Sequence, residues 1–133
     1  MFKLVDKGAK SNRPFSPGFI VGDCLHISGQ ASVSRDDGTI TTGSFEEEMR
    51  RSIENLDAIL QAAGLTLDHV FSVRCYLGDS ANGVRHNEIF AEYFAEPRPV
   101  RSTISGVLGT SLKYELDAIA YVPATRQEAK VIA

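Results

Sequence analysis

Ser44-Phe45-Glu46-Glu47-Glu48-Met49-Arg50-Arg51-Ser52-Ile53-Glu54-Asn55-Leu56-Asp57-Ala58-Ile59-Leu60-Gln61-Ala62-Ala63-Gly64 is the stretch on which the fold turns. It opens as a capping box, with a hydroxyl at Ser44 and a carboxylate three residues on at Glu47. Phe45, Met49, Ile53, Leu56, Leu60 and Ala63 recur at helical spacing and make one apolar stripe. Gly64 is a natural stop. The spacing predicts a helix over 45–63, with the acidic run Glu46-Glu47-Glu48 complementing its dipole. A helix with a single apolar stripe needs a partner layer, and the flanking sequence supplies one.

Upstream, a short strand at 2–5 precedes a loop carrying Pro14, Pro17 and Gly18. Phe19-Ile20-Val21 and Cys24-Leu25-His26-Ile27-Ser28 flank Gly22-Asp23, a two-residue link that reads as a hairpin. Gly29 to Val33 continues extended, and Asp36-Asp37-Gly38 is a turn. Downstream, Val70 to Leu77 is a strand broken by Gly78-Asp79-Ser80. Residues 82–95 form a second helix, with Val84, Ile89, Phe90, Tyr93 and Phe94 as its expected buried set. Two further strands follow, at Arg101–Ser105 and Tyr114–Tyr121. The order β-β-β-α-β-α-β-β describes an α+β domain: a two-layer sandwich of a mixed six-stranded sheet with two helices on one face. The expected domain is 1–123, with 124–133 as a C-terminal tail.

One face of each strand is plainly apolar: Leu25 and Ile27; Phe71, Val73, Cys75 and Leu77; Leu116, Ala118, Ala120 and Val122. These are expected against the helices. The other face mixes small residues, charges and aromatics: His26 and Ser28; Ser72, Arg74 and Tyr76; Arg101, Thr103 and Ser105; Glu115, Asp117, Ile119 and Tyr121. A purely solvent-facing sheet is polar throughout, so this mixture points to contact with another subunit.

The 133 residues carry a net charge of −3 and are 43% hydrophobic. That composition suits an ordinary globular domain and gives no basic stripe for nucleic acid. With no long apolar run and no signal-peptide core at the N-terminus, neither a membrane span nor export is expected. Cys24 and Cys75 read as reduced thiols of a cytoplasmic protein. Cys24 and His26 share a strand face but have no further ligands at metal spacing. There is no nucleophile elbow and no phosphate loop.

What remains is Arg101 with Glu115, and backbone groups. Arg101 follows the stiff segment Glu96-Pro97-Arg98-Pro99-Val100 at the mouth of a strand. A guanidinium fork held there suits a small carboxylate ligand, although taken alone Arg101 reads more simply as a surface or interface ion-pair arginine.

The ordered set Pro14-Phe15-Ser16-Pro17, Ile27-Ser28-Gly29-Gln30, Glu54-Asn55-Leu56 with Ala62-Ala63-Gly64, Asn87-Glu88 with Tyr93-Phe94, Pro99-Val100-Arg101-Ser102-Thr103 and Tyr114 to Ala120 resembles the RidA/YjgF family of reactive-intermediate deaminases. The resemblance spans about residues 12–122. It implies a chorismate-mutase-like fold and a homotrimer with clefts between subunits. It also implies hydrolysis of 2-imino acids, and of enamines such as 2-aminoacrylate, to 2-oxo acids and ammonia without a cofactor. By the same resemblance Arg101 grips the substrate carboxylate and Glu115 positions water. Phe15, Ser28, Gly29, Asn87 and Thr103 line the pocket. Phe15 stands where the family usually has tyrosine, and Pro17 where it often has glutamine. A non-catalytic module binding 2-oxo acids is the alternative. The endoribonuclease label often given to this family finds no basic, aromatic-studded groove here.

Overall fold

The computed structural model describes residues 2–9 and 11–123. The strands are β1 (Phe2–Val5), β2 (Gly18–Val21), β3 (Cys24–Ala31), β4 (Val70–Leu77), β5 (Val100–Ser105) and β6 (Tyr114–Tyr121). The helices are α1 (Phe45–Ala62) and α2 (Gly83–Tyr93). The expected order holds, and the sheet is mixed: β1-β2-β3-β6-β4-β5, antiparallel except for the β4–β5 pair. Gly22, at φ 61°, makes the tight turn between β2 and β3. The expected tail at 124–133 lies outside the described residues.

Helix α1 begins as its sequence requires. Ser44 Oγ accepts from Glu47 N–H, and the Glu47 carboxylate accepts from Ser44 N–H. Met49, Ile53, Leu56, Ile59 and Leu60 are fully buried against the sheet. Each contributes on the order of 2 kcal/mol of apolar burial. Asn55 lies on the same face and donates from Nδ2 to the carbonyls of Ala31 and Val33. It satisfies buried backbone acceptors where β3 ends. Glu48 goes beyond the dipole role. It is fully buried and accepts from Gly43 N–H, Lys113 N–H and Lys113 Nζ, fastening the start of β6 to α1.

Three expectations about faces are corrected. Phe71 is exposed, because the β4–β6 register shifts between Val70 and Ser72 and turns Val70 into the core instead. Such a bulge inserts one residue and reverses the alternation. Val84 is 77% exposed, while His86 takes the buried position beside Ile89 and Phe90; α2 also stops at Tyr93, short of 95. The third correction concerns β5. Its parallel pairing sets Arg101 beside Val73, Thr103 beside Cys75 and Ser105 beside Leu77. Paired residues share a face, and Val73, Cys75 and Leu77 face the helices. Arg101, Thr103 and Ser105 therefore lie on the helix side, not on the mixed face with Glu115. All six residues of β5 are nonetheless exposed, because it is an edge strand reaching past the helices.

Candidate active site

The residues singled out from sequence fall into two groups on opposite faces of the sheet. The first surrounds Arg101. Its guanidinium lies over the ring of Phe90, 4.9 Å from the centroid, and Nη2 donates to Asn87 Oδ1 at 2.7 Å. Both partners come from α2, one turn apart on the side facing β5. Both are neutral. Among the described residues of the chain Arg101 makes no ion pair. Ring and amide hold the fork in place and leave its charge unmatched. A hollow of about 360 Å³ opens here, lined by Asn87, Phe90, Ala91, Arg98, Pro99 and Arg101. Thr103 follows two residues on, on the free edge of β5.

Beneath this ledge is a buried polar chain that the sequence reading missed. Tyr114 Oη donates to Cys75 Sγ at 3.3 Å and lies 3.4 Å from His86 Nε2. His86 packs edge-on against Phe90, the ring under Arg101. Burial first, and Arg101 second, push the His86 imidazole down to about 4, so it is neutral near pH 7. Burial pushes the Cys75 thiol up to about 11, so it is no nucleophile. Helical spacing alone places His86 with Ile89 and Phe90, and that was the available signal.

The second group lies on the open face. The β3–β6 register shifts between Ile27 and Gln30, so Ser28 and Gly29 form a bulge beside Glu115. A Cβ added to Gly29 would stand 2.9 Å from Glu115 Oε2, so a larger residue there would displace the carboxylate from its present position. Ser28 Oγ donates to the Ser16 carbonyl at 2.5 Å, and Ser28 N–H donates to the Pro17 carbonyl. These bonds tie the Pro14–Pro17 loop to the bulge. Phe15, on that loop, is about half exposed. A cavity of about 600 Å³ runs along this face past Ser16, Ser28, Gly29, Arg74 and Asp117. Glu115 is half-buried, and its carboxyl is raised above the ordinary 4.5, first by burial and second by Asp117. It accepts no hydrogen bond from the described residues.

Within one chain, then, Ser28, Gly29 and Glu115 come together, with Phe15 on the loop that Ser28 ties down, and Asn87 and Arg101 come together with Thr103 nearby. The two groups do not meet. Strand β4 separates β5 from β6, and the side chains leave opposite faces. The open face also exposes Phe71, Val100 and Ile104, apolar side chains that a free surface leaves wet. Among the described residues no helix is long and apolar enough to cross a membrane.

Residues 7–122 match the family model described as Endoribonuclease L-PSP. The chain is 35% identical over 119 residues to a RutC family protein of Pyrococcus abyssi, covering 89% of this chain and 94% of that protein. Among solved structures it is similar to the Rid family protein YyfA of Yersinia pestis, with TM-score 0.83, 26% identity and coverage of 92% and 100%. It is also similar to RidA of the Antarctic bacterium Psychrobacter sp. PAMC 21119, with TM-score 0.78, 27% identity and coverage of 88% and 95%.

Proposed function

Because the chain belongs to the Endoribonuclease L-PSP family, which includes the YjgF, RidA and RutC proteins, we propose that it hydrolyses 2-imino acids and their enamine tautomers to 2-oxo acids and ammonia. The observation that carries this reading is Arg101: an arginine fixed by an amide and a ring, with no carboxylate partner among the described residues. Such a group is built to receive an anion. A carboxylate about 4 Å away gains on the order of 4 kcal/mol at an effective dielectric near 20, before desolvation.

The chemistry asks little more. A protonated imine carbon is electrophilic. Glu115 orients a water and takes its proton as the water oxygen bonds to that carbon, giving a carbinolamine. Glu115 then passes this proton to nitrogen and takes the hydroxyl proton as the C–N bond breaks, so that the oxygen closes the carbonyl and ammonia leaves. Water is consumed and no electrons are transferred, so the balance needs no cofactor. Burial beside Asp117 makes Glu115 a stronger base than an exposed glutamate.

Arg101 and Glu115 act on one substrate only if two subunits bring them together. The proposal therefore includes a homotrimer whose clefts join the Arg101 ledge of one subunit to the Glu115 bulge of its neighbour. Phe15, Ser28, Gly29, Asn87 and Thr103 shape that cleft, and Phe15 meets substrate with a ring and no phenol. The test generates 2-iminopropanoate in situ with an amino-acid oxidase and follows 2-oxo acid release with and without the protein. Acceleration by the wild type and its loss in Arg101→Ala are expected. Binding of 2-oxo acids with no acceleration would replace the enzyme with a binding module. RNA cleavage that persists in Arg101→Ala after repurification would favour a nuclease.

A further inference from the structure

We propose that Asp117 is a positioning residue for Glu115: by engaging Arg74 and Tyr76 it keeps the neighbouring donors away and leaves the Glu115 carboxylate free for water. This rests on the reading of Glu115 as the group that orients the attacking water.

The argument begins with the register. Across the β4–β6 pair, Tyr76 stands opposite Glu115 and Arg74 opposite Asp117. Facing and diagonal cross-strand neighbours are both within reach of a tyrosine, so the Tyr76 phenol has two carboxylates to choose from, Glu115 and Asp117. It takes Asp117. Tyr76 Oη donates diagonally to Asp117 Oδ2 at 2.8 Å, and Arg74 Nε donates to Asp117 Oδ1 at 2.9 Å. Both oxygens of Asp117 are occupied, and both flexible donors that β4 presents beside Glu115 are held by it. Glu115 is left half-buried over Gly29 with no partner among the described residues.

Every element packed around Glu115 agrees. From β6 comes Asp117, a like charge. From β4 come Tyr76 and Arg74, both turned to Asp117. From β3 come the uncharged Ser28 and Gly29, with His26 farther along, opposite Ile119. Asp117 therefore does two things at once. Its charge repels that of Glu115 and favours the protonated form, second only to burial in raising this carboxyl. It also holds Arg74, whose side chain is 65% exposed and free to swing once released. A released Arg74 would pair with Glu115, and a carboxylate paired with a guanidinium is a poor base.

The two partners of this ion pair should then move Glu115 in opposite directions. Asp117→Asn removes the like charge and frees Arg74, so the Glu115 midpoint falls. The expected kcat at neutral pH drops about tenfold, a modest part of what a general base supplies, while KM stays unchanged. Arg74→Gln leaves Asp117 uncompensated, so the Glu115 midpoint rises and the acid limb of the kcat profile moves to higher pH. In the Asp117→Asn/Arg74→Gln double variant no arginine remains to capture Glu115, the amide oxygen at position 117 still accepts from Tyr76 Oη, and kcat recovers relative to Asp117→Asn.

The measurements are a carbon-13 NMR titration of the Glu115 carboxyl in each variant and the pH profile of kcat. Opposite shifts with recovery in the double variant support the proposal. Shifts in the same direction, or no shift, overturn it, because a merely structural pair loses activity in both variants without moving Glu115 in opposite senses. The NMR midpoints need no substrate. A wild type that fails to hydrolyse imines would remove the proposed activity, while the titration would still decide whether Asp117 governs Glu115.

Discussion

The Arg101 ledge and the Glu115 bulge solve opposite problems. Arg101 stands on an exposed edge strand, where keeping a charge costs little and keeping a position is hard; Phe90 and Asn87 supply the position without neutralising the charge. Glu115 stands near the middle of the sheet, where position comes from two flanking strands and charge is the costly part. Burial and Asp117 raise its carboxyl, which suits the proposed role of taking a proton from water. An anchor needs permanent charge and a base needs a reluctant one. The two faces of one sheet provide these environments separately, and the proposed subunit interface would bring them to one substrate.

That contrast can be broken from either side. Mixing Arg101→Ala and Glu115→Gln chains is the severest trial. Each variant alone should lose most activity, Arg101→Ala by about 10³-fold in kcat/KM if the anchor is worth about 4 kcal/mol. Co-refolded together at equal amounts, they should regain up to about a quarter of wild-type activity, because some clefts then receive an intact residue from each side. No regain would mean that one subunit supplies both groups, against the geometry described above. Taken singly, Glu115→Gln should lower kcat by about 10²-fold with KM nearly constant, while Arg101→Ala should raise KM steeply; steady-state kinetics separates the two.

A smaller effect belongs to the Arg101 side. His86 is neutral when folded, with its midpoint lowered from 6.5 to about 4. Between those values the unfolded chain binds more protons, so stability falls as pH drops from 6.5 toward 4, by about 3 kcal/mol in all. Denaturant unfolding as a function of pH should show this loss, and His86→Gln should flatten it. The smallest effect is on the Glu115 side. Gly29→Ala places a Cβ against the Glu115 carboxylate. A few-fold drop in kcat is expected, with stability lowered by about 1 kcal/mol and KM spared. A rise in KM instead would place Gly29 against substrate.

Much of the fold was legible because its signals are local. The capping box at Ser44 and Glu47, the turn at Gly22-Asp23 and the alternation in Tyr114–Tyr121 each depend on residues within a few positions of one another. Phe71 misled because a bulge obeys cross-strand hydrogen bonding, which alternation along one strand cannot reveal. Val84 misled because hydrophobicity does not say which side of a short helix is covered; His86, polar by type, is the side chain that is buried. Of the candidate site, Arg101 was legible as a fork placed after Pro97 and Pro99. Asn87 was reached only through family resemblance, since an exposed asparagine in a helix carries no signal of its own. That it holds Arg101 depends on α2 lying over β5, fourteen residues away along the chain.

By itself the sequence determined the kinds of element, their order, and the residue types available for anion binding and proton transfer, because propensity, capping and periodicity act over one or two turns of chain. Only the tertiary structure decided which face each residue serves. The parallel β4–β5 register sent Arg101 to the helix side, the antiparallel β4–β6 register left Glu115 on the open side, and a bulge at Ser28-Gly29 made room for its carboxylate. Register is a property of strand pairs, and a shift of one residue exchanges the faces. That is why the same residues read as one constellation along the chain and as two halves in space.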